Sequence, residues 1–191
     1  MEDNYKINNL RSRPKRKNSR TKGNTFERQV AKLLNDRFGT TQFSRSPGSG
    51  AFASTHSLPD HLKIYGDLIT PEKFRFCIEC KKGYNHINLY SLYNYSSDFW
   101  KFVEQCEKDS KKCNKLPMVV FKQDRQPMLA ILPSTITCFH QDTVPGTFID
   151  WGKLPKTEYS IKYIEIHKNK TYRVYLFDEL IKCWDSMWFD S

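Results

Sequence analysis

The stretch GDLITPEKFRFCIECKKG, residues 66–83, decides the fold. It overlaps two segments, 64–70 and 74–81, whose apolar and β-branched composition predicts β-strands. These segments also contain two acids and a lysine, Asp67, Glu79 and Lys81, which are residue types that strands seldom bury. Such residues inside strands indicate either a metal site or a charged sheet face that is exposed to solvent.

Side chains alternate along a strand, so Glu79 and Lys81 share one face. If the two segments pair as a hairpin centred on residue 73, Asp67 lies opposite Glu79 and the three side chains converge. Opposed carboxylates repel each other, but a bound divalent cation reverses the sign of that interaction. Two carboxylates with open positions for water and phosphate oxygen suit Mg²⁺ or Mn²⁺. This register predicts a metal site with an ammonium group beside it.

The rest of the chain predicts an α/β fold with a mixed sheet. Residues 24–38 and 97–112 carry apolar residues at helical spacing, and Gly39 marks the end of the first helix. Further strands are predicted at 41–45, 116–122 and 127–133, a hairpin at 159–177, and a tail helix at 178–189. The order helix, strands, helix, strands indicates helices packed on a mixed sheet.

The charge of the chain is unevenly distributed. There are 31 Lys and Arg against 21 Asp and Glu, a net charge of +10. Seven basic residues fall in twelve positions without an acid: Arg11, Arg13, Lys15, Arg16, Lys17, Arg20 and Lys22. Residues 1–22 are therefore expected to form a flexible basic arm, and a polyanion such as nucleic acid is its natural partner. A solubilising tail or a nuclear import signal is the alternative.

No membrane or secretory segment is visible in the sequence. It contains no apolar run of about 18 residues, and the N-terminus lacks the apolar stretch of a signal peptide. Six cysteines without a signal peptide indicate free thiols in a reducing compartment. An intracellular protein with no membrane partner is expected.

Asp67, followed after eleven residues by Glu79-Cys80-Lys81, resembles the signature of the PD-(D/E)XK nucleases. The segments FERQVAKLL, SRSPGSGAF, GDLI and IECKKG come in the order seen in archaeal-type Holliday junction resolvases and their phage relatives. FVEQCEKDSKKCNKLPMVVFK resembles the helix and strand that follow. The likeness covers residues 23–133 and leaves 134–191 as a C-terminal extension of the same domain. It implies a restriction-endonuclease-like core, a central mixed β-sheet flanked by helices.

The resemblance also implies roles for individual residues. Asp67 and Glu79 would be metal ligands, Lys81 the catalytic lysine, and Glu27 a further ligand acting directly or through water. Ser49 would lie near the scissile phosphate, although it is equally a loop residue. The alternative for Glu27 is the N3 position of a helix capped by Asn24.

The signature's proline is Gly66 in this sequence, whereas a literal Pro59-Asp60 occurs seven residues earlier. Asp60 falls in a loop with no apolar strand after it, so Asp67 is the better candidate. Arg45 and Lys82 join the arm residues as candidate DNA contacts. Gln105 beside the apolar stripe of the second helix faces either the site or the solvent.

The resemblance implies a Mg²⁺-dependent endodeoxyribonuclease, with Mn²⁺ as a substitute, that acts on branched DNA in the manner of a Holliday junction resolvase. A general or nicking nuclease of the same superfamily and a non-catalytic DNA-binding protein are the alternatives. A junction offers two symmetric scissile strands, which favours a two-fold homodimer. Leu180, Ile181, Trp184 and Trp188 could supply its surface, or could pack on their own domain.

Overall fold

The computed structural model describes residues 19–47, 65–88, 90–91, 94, 96–133, 164–167, 170–182 and 188–190. Its helices are α1 (Ser19–Phe38), α2 (Asp98–Lys112) and the short α3 (Phe177–Leu180). Its strands are β1 (Ser44–Arg45), β2 (Leu68–Ile69), β3 (Phe76–Lys82), β4 (Leu116–Lys122), β5 (Leu129–Pro133), β6 (Ile164–His167) and β7 (Lys170–Leu176).

The described strands form one mixed sheet and one small antiparallel pair. The sheet has the order β3-β4-β5-β7-β6, in which β3 and β4 are parallel and the other neighbours are antiparallel. β1 pairs with β2 next to the β3 edge. A mixed sheet flanked by helices is the restriction-endonuclease-like architecture, so the predicted fold class is confirmed.

The two long helices cover opposite faces of this sheet. Phe26, Val30 and Leu34 of α1 pack in one apolar cluster with Ile78 of β3 and Met118 of β4. Residues that alternate with these along the strands face a second cluster, which contains Phe99 and Val103 of α2 together with Val119 and Phe121 of β4. By the same alternation, Glu79 and Lys81 lie on the α2 face.

Helix α1 begins earlier than its sequence pattern predicts. The helix starts at Ser19 rather than at residue 24, so Arg20 and Lys22 belong to it and Asn24 is not its N-cap. The predicted end is confirmed, because Gly39 adopts the positive φ of 59° that terminates helices. Residues 1–18, which hold most of the predicted arm, lie outside the described residues.

The prediction that 64–70 and 74–81 pair as a hairpin is wrong, because the described residues of these segments do not form a continuous ladder with each other. Leu68 and Ile69 pair with β1, while β3 begins only at Phe76. The backbone before β3 is bonded instead by the end of the chain: Arg75 N–H donates to the Trp188 carbonyl at 2.8 Å, and Phe74 forms an isolated bridge with Phe189. Residues more than a hundred positions away thus bond to the segment before β3, where the predicted hairpin would have begun its second strand.

The C-terminal segment is part of the core. α3 ends at Leu180, so the predicted helix over 178–189 is not formed as one piece. Leu180, Ile181 and Trp188 are buried in the apolar cluster of their own chain, so they cannot form a dimer surface. Trp184 lies outside the described residues. The predicted hairpin is confirmed by the pairing of β6 with β7, and β7 joins the main sheet beside β5.

The remaining strand predictions hold with small shifts: 116–122 coincides with β4, and 127–133 shortens to β5. None of the helices in the described ranges has the length and apolarity needed to span a membrane.

Removal of the Trp188 ring should destabilise the whole domain. This ring is fully buried against Phe38, Phe74 and Phe76, so Trp188→Ala should lower the free energy of unfolding by about 3–5 kcal/mol in urea titrations. Trp188→Phe is the matched control. It keeps a ring and removes an indole N–H that is buried without a hydrogen-bond partner among the described residues, so its cost should be much smaller. A loss below about 1 kcal/mol for Trp188→Ala would contradict this role for the C-terminal segment.

Candidate active site

Asp67 is held at the edge of β3 by both its backbone and its side chain. Its N–H donates to the Ile78 carbonyl at 2.8 Å, and its Oδ2 accepts the Cys80 N–H at 2.7 Å. Its carbonyl accepts the Ser46 N–H at 2.9 Å. These bonds fix the carboxylate beside Glu79, as the sequence predicted, although the expected hairpin ladder is absent.

Gly66 makes this close approach possible. Its φ is +77°, a conformation that proline cannot adopt and that other L-residues rarely adopt. A Cβ at this position would lie 2.8 Å from the Ile78 carbonyl oxygen and 2.9 Å from the Cys77 Sγ. The glycine that replaces the signature's proline is therefore required by the geometry of this chain.

Glu79 and Lys81 form an ion pair on the α2 face of β3. The Lys81 Nζ donates to the Glu79 Oε1, and the Glu79 side chain is only 2% exposed. The same Nζ lies 3.5 Å from the Gln105 Oε1 and 5.2 Å from the centroid of the Phe102 ring. Gln105 thus faces the site, and α2 places both a hydrogen-bond acceptor and an aromatic ring against the lysine.

Glu27 reaches the site from α1. Its side chain is 8% exposed, and its Oε2 accepts a hydrogen bond of 2.6 Å from the Arg45 Nε. Arg45, a predicted phosphate contact, thus binds Glu27 through its Nε in this structure. Because α1 begins at Ser19, Glu27 is not the N3 residue of a capping box.

The carboxylates are electrostatically coupled. Burial, and after it the charge of Asp67, raises the pKa of Glu79 to about 7. The same two causes raise the pKa of Glu27, and Arg45 opposes that rise. Burial lowers the pKa of Lys81, but the charges of Glu79 and Asp67 outweigh burial, so the lysine pKa is raised. The site therefore holds an ammonium group among acids that disfavour one another's ionisation.

This donor set fits a magnesium-type cation. Within the described ranges, no three or more His, Cys, Asp or Glu side chains are grouped closely enough to hold a metal by themselves. Mg²⁺ does not need such a cage, because it is usually held by one or two carboxylates together with waters and substrate phosphate oxygens. Asp67 and Glu79 supply that number, and their mutual repulsion is what a cation would relieve.

The other predicted site residues are distributed as follows. Ser49, Asp60 and the arm residues Arg11, Arg13, Lys15, Arg16 and Lys17 lie outside the described residues. Lys82 lies next to Lys81 but on the opposite side of β3, with its Nζ 5.7 Å from the centroid of the Phe26 ring. Phe102 contacts Lys81 but is not among the site residues predicted from the sequence. Its place three residues before Gln105 on α2, which puts both on one side of that helix, is the signal that could have identified it.

Residues 18–188 match the family described as "Phage putative PDDEXK endonuclease". Protein D14 of Escherichia phage T5 is 35% identical to the chain over 123 residues, which make up 61% of this chain and 72% of that protein. No solved structure matches the chain.

The coupled acids make the stability of the metal-free protein depend on pH. The pKa of Glu79 is about 7 in the folded protein, against a usual value of 4.5. The folded state therefore binds the Glu79 proton more tightly than the unfolded state does. This difference stabilises the fold fully below about pH 4.5, and the stabilisation is lost as the pH rises through 7. Between pH 5 and 7.5 in EDTA, the free energy of unfolding should fall by on the order of 2 kcal/mol.

Asp67→Asn should reduce this fall by about 1 kcal/mol, because it removes a charge that raises the Glu79 pKa. Urea titrations at both pH values provide the measurement. Asp36→Asn, which removes an exposed acid on the same helix as Glu27, should leave the fall unchanged. Equal falls in wild type and Asp67→Asn would show that the two carboxylates are not coupled.

Proposed function

The chain belongs to the family of phage PD-(D/E)XK endonucleases and is a nuclease of that family; from this premise we propose that it is a metal-dependent endodeoxyribonuclease whose centre is Asp67, Glu79 and Lys81. The observation that carries the proposal is the burial of two neighbouring carboxylates at β3, Asp67 and Glu79, of which Glu79 is paired with the Lys81 ammonium group. A structural ion pair would need one acid, and the second acid raises the cost of burial unless a cation binds.

The proposed reaction is hydrolysis of a phosphodiester. A water oxygen forms a bond to phosphorus while the bond from phosphorus to the leaving sugar oxygen breaks. The attacking water gives up one proton to solvent, and the leaving oxygen takes up one proton from solvent to become a hydroxyl group. Lys81, with its raised pKa, carries a proton at neutral pH and so serves as a hydrogen-bond donor and positive charge toward the phosphate oxygens. Gln105 and the Phe102 ring hold the ammonium in place.

Asp67 and Glu79 would hold the cation, with Mg²⁺ preferred and Mn²⁺ able to substitute. When bound, the cation supplies charge stabilisation at phosphorus and lowers the pKa of a nearby water. Glu27 is proposed to orient that water. Arg45 keeps the Glu27 carboxylate in one place and favours its ionised form, because its guanidinium opposes the rise in the Glu27 pKa.

DNA contacts are proposed for basic residues around this centre. Lys82 follows Lys81 in β3, and the Lys22 Nζ of α1 lies 4.0 Å from the Asp124 Oδ2. The basic residues before Ser19 are proposed to add sequence-independent contacts to phosphates. Ser49, which lies outside the described residues, is proposed to contact the scissile phosphate.

Substitution of the central residues should separate catalysis from binding. Asp67→Asn and Lys81→Ala should each lower the rate of cleavage by at least about 100-fold, because each removes a charge acting at the reacting phosphate. DNA binding by Asp67→Asn should persist or tighten, since the variant repels phosphate less. Lys82→Ala is the matched control: it removes the neighbouring lysine on the other side of β3, so it should weaken binding while the cleavage rate of bound DNA stays within about twofold.

The assays are single-turnover cleavage and equilibrium binding of the same labelled DNA, with and without Mg²⁺. Cleavage by the wild type that continues in EDTA would refute metal dependence. Binding without any cleavage in Mg²⁺ or Mn²⁺ would favour a non-catalytic DNA-binding protein instead.

Branched DNA is the proposed substrate, and a two-fold homodimer is proposed to cut both strands of a four-way junction in one encounter. The resolvase-type substrate is supported by the order in which four motifs follow one another in the sequence: FERQ, SRSPGSG, GDLI and IECKKG. The contact between the two subunits of such a dimer must lie away from Leu180, Ile181 and Trp188, because these residues are buried within their own chain.

Four-way, flapped, nicked and linear DNA of equal sequence should be cut with the four-way junction fastest, by about tenfold or more over linear duplex. Light scattering of the protein with and without the junction should give the mass of a dimer. Equal rates on all four substrates, or a monomer in both states, would indicate a general nuclease of the same family.

A further inference from the structure

Among the described residues, the large hydrophobic side chains that are exposed belong to Tyr84 and Tyr90. Both lie in the connector between β3 and α2, directly after the Glu79–Lys81 strand. Tyr84 follows Lys81 by three residues and is 39% exposed. The position of an exposed aromatic ring so close to the catalytic lysine calls for a physical explanation.

The backbone at Tyr84 is strained yet firmly held. Gly83 and Tyr84 have φ of +95° and +53°, and the second value is uncommon for a tyrosine. Gln123 Nε2 donates to the Tyr84 carbonyl at 3.1 Å and to the Ile87 carbonyl at 2.6 Å. A reciprocal pair of 3.0 Å bonds joins Asn85 to Asp124. The turn after β3 is thus anchored on the turn after β4, in a conformation that keeps the Tyr84 ring at the surface.

Tyr84 is one ring away from Lys81. The Tyr84 and Phe102 rings meet edge to face with centroids 4.6 Å apart, and the Lys81 Nζ lies 5.2 Å from the same Phe102 centroid. A nucleotide whose phosphate contacts Lys81 would therefore have its own base, or that of a neighbouring nucleotide, within reach of the exposed part of the Tyr84 ring.

The surroundings of this turn are basic. A hydrogen bond from Asn85, and then the charges of Lys22 and Lys82, lower the pKa of Asp124 in the anchoring turn. Arg125 acts in the same direction, and Lys122 lies beside Lys82 in the parallel register of β3 and β4. Lys82 and Tyr84 both lie at the C-terminal end of β3, so these cations could contact phosphates of a strand that passes around this end of the sheet.

We propose that Tyr84 is a stacking platform for an unpaired nucleobase next to the scissile phosphate, and that it directs the enzyme to DNA with an unpaired or easily unstacked base at the cut. This inference rests on the proposed nuclease function and narrows its substrate. Every base offers a π-face, so such a platform reads base pairing rather than sequence. In intact duplex the base is stacked between its neighbours and is not available to the ring.

The inference is tested by binding in an Asp67→Asn background, in which cleavage does not interfere. Tyr84→Asn removes the ring, and asparagine tolerates the positive φ better than most residues. It should weaken binding to a flapped DNA about tenfold and change binding to fully paired duplex of equal sequence less than twofold. Tyr84→Phe retains the ring and should bind both substrates as the parent does.

Tyr90→Asn is the matched control, since it removes an exposed tyrosine from the same connector; flap binding should be retained. Equal losses on flap and duplex for Tyr84→Asn, or an equal loss of flap binding for Tyr90→Asn, would overturn the assignment.

A second measurement needs no substitution of Tyr84. Flapped DNA carrying 5-iododeoxyuridine at successive positions around the branch should photo-crosslink to Tyr84 from an unpaired position, and the same base in duplex should not. A crosslink that maps to other residues from every position would refute the platform even if Tyr84→Asn failed to fold.

The two proposals can fail separately. Cleavage by the wild type, together with Tyr84 variants that bind flap and duplex as the parent does, would refute only the platform. Flap binding that depends on Tyr84, in a protein that cuts no DNA with Mg²⁺ or Mn²⁺, would refute only the nuclease.

Discussion

The contact of the Gly66–Asp67 backbone with the edge of β3 is the constraint on which the site depends. It requires a residue without a Cβ at position 66, because the Ile78 carbonyl and the Cys77 sulfur occupy that space. Once made, it leaves Asp67 beside Glu79, with both carboxylates buried. Burial of two neighbouring acids is unfavourable, and Lys81 offsets it only in part, as the raised pKa of Glu79 indicates. The apolar packing of the domain must offset the rest of this unfavourable free energy.

Strand β3 contributes one face to this apolar packing and the other face to the polar site. Ile78 and Cys80 point into the α1 cluster, whereas Glu79 and Lys81 alternate onto the face that α2 covers. The helices bring side chains to the candidate site as well as to the core, since α1 carries Glu27 and α2 carries Phe102 and Gln105. A polar site supported by rigid elements on both sides keeps its geometry within narrow limits, as the proposed positioning of a phosphate would require.

Charge is also ordered in space. The acids Glu27, Asp67 and Glu79 are buried at the centre, whereas Lys22 and Lys82 are described cations outside it, where their charges act on Asp124. Such a pattern attracts a polyanion over a long range and leaves the centre itself attractive to a cation. The strained turn at Tyr84 adds an exposed aromatic ring near these charges, and charged side chains alone would not provide such an apolar surface.

The sequence by itself determined the fold class, the limits of β4 and the apolar stripe of α1, because these follow from side-chain periodicity within one segment. It also predicted that Glu79 and Lys81 share a face, since side chains alternate along a strand. The predicted proximity of Asp67 is found as well, but through bonds of Asp67 to Ile78 and Cys80 and not through the expected hairpin ladder. Only the tertiary structure decided that β2 pairs with β1, that residues 188–190 bond to residues 73–75, and that Arg45 binds Glu27. These contacts join residues 18 to more than 100 positions apart. No local pattern specifies such partners, because the choice among them depends on how completely the whole chain buries its apolar surface.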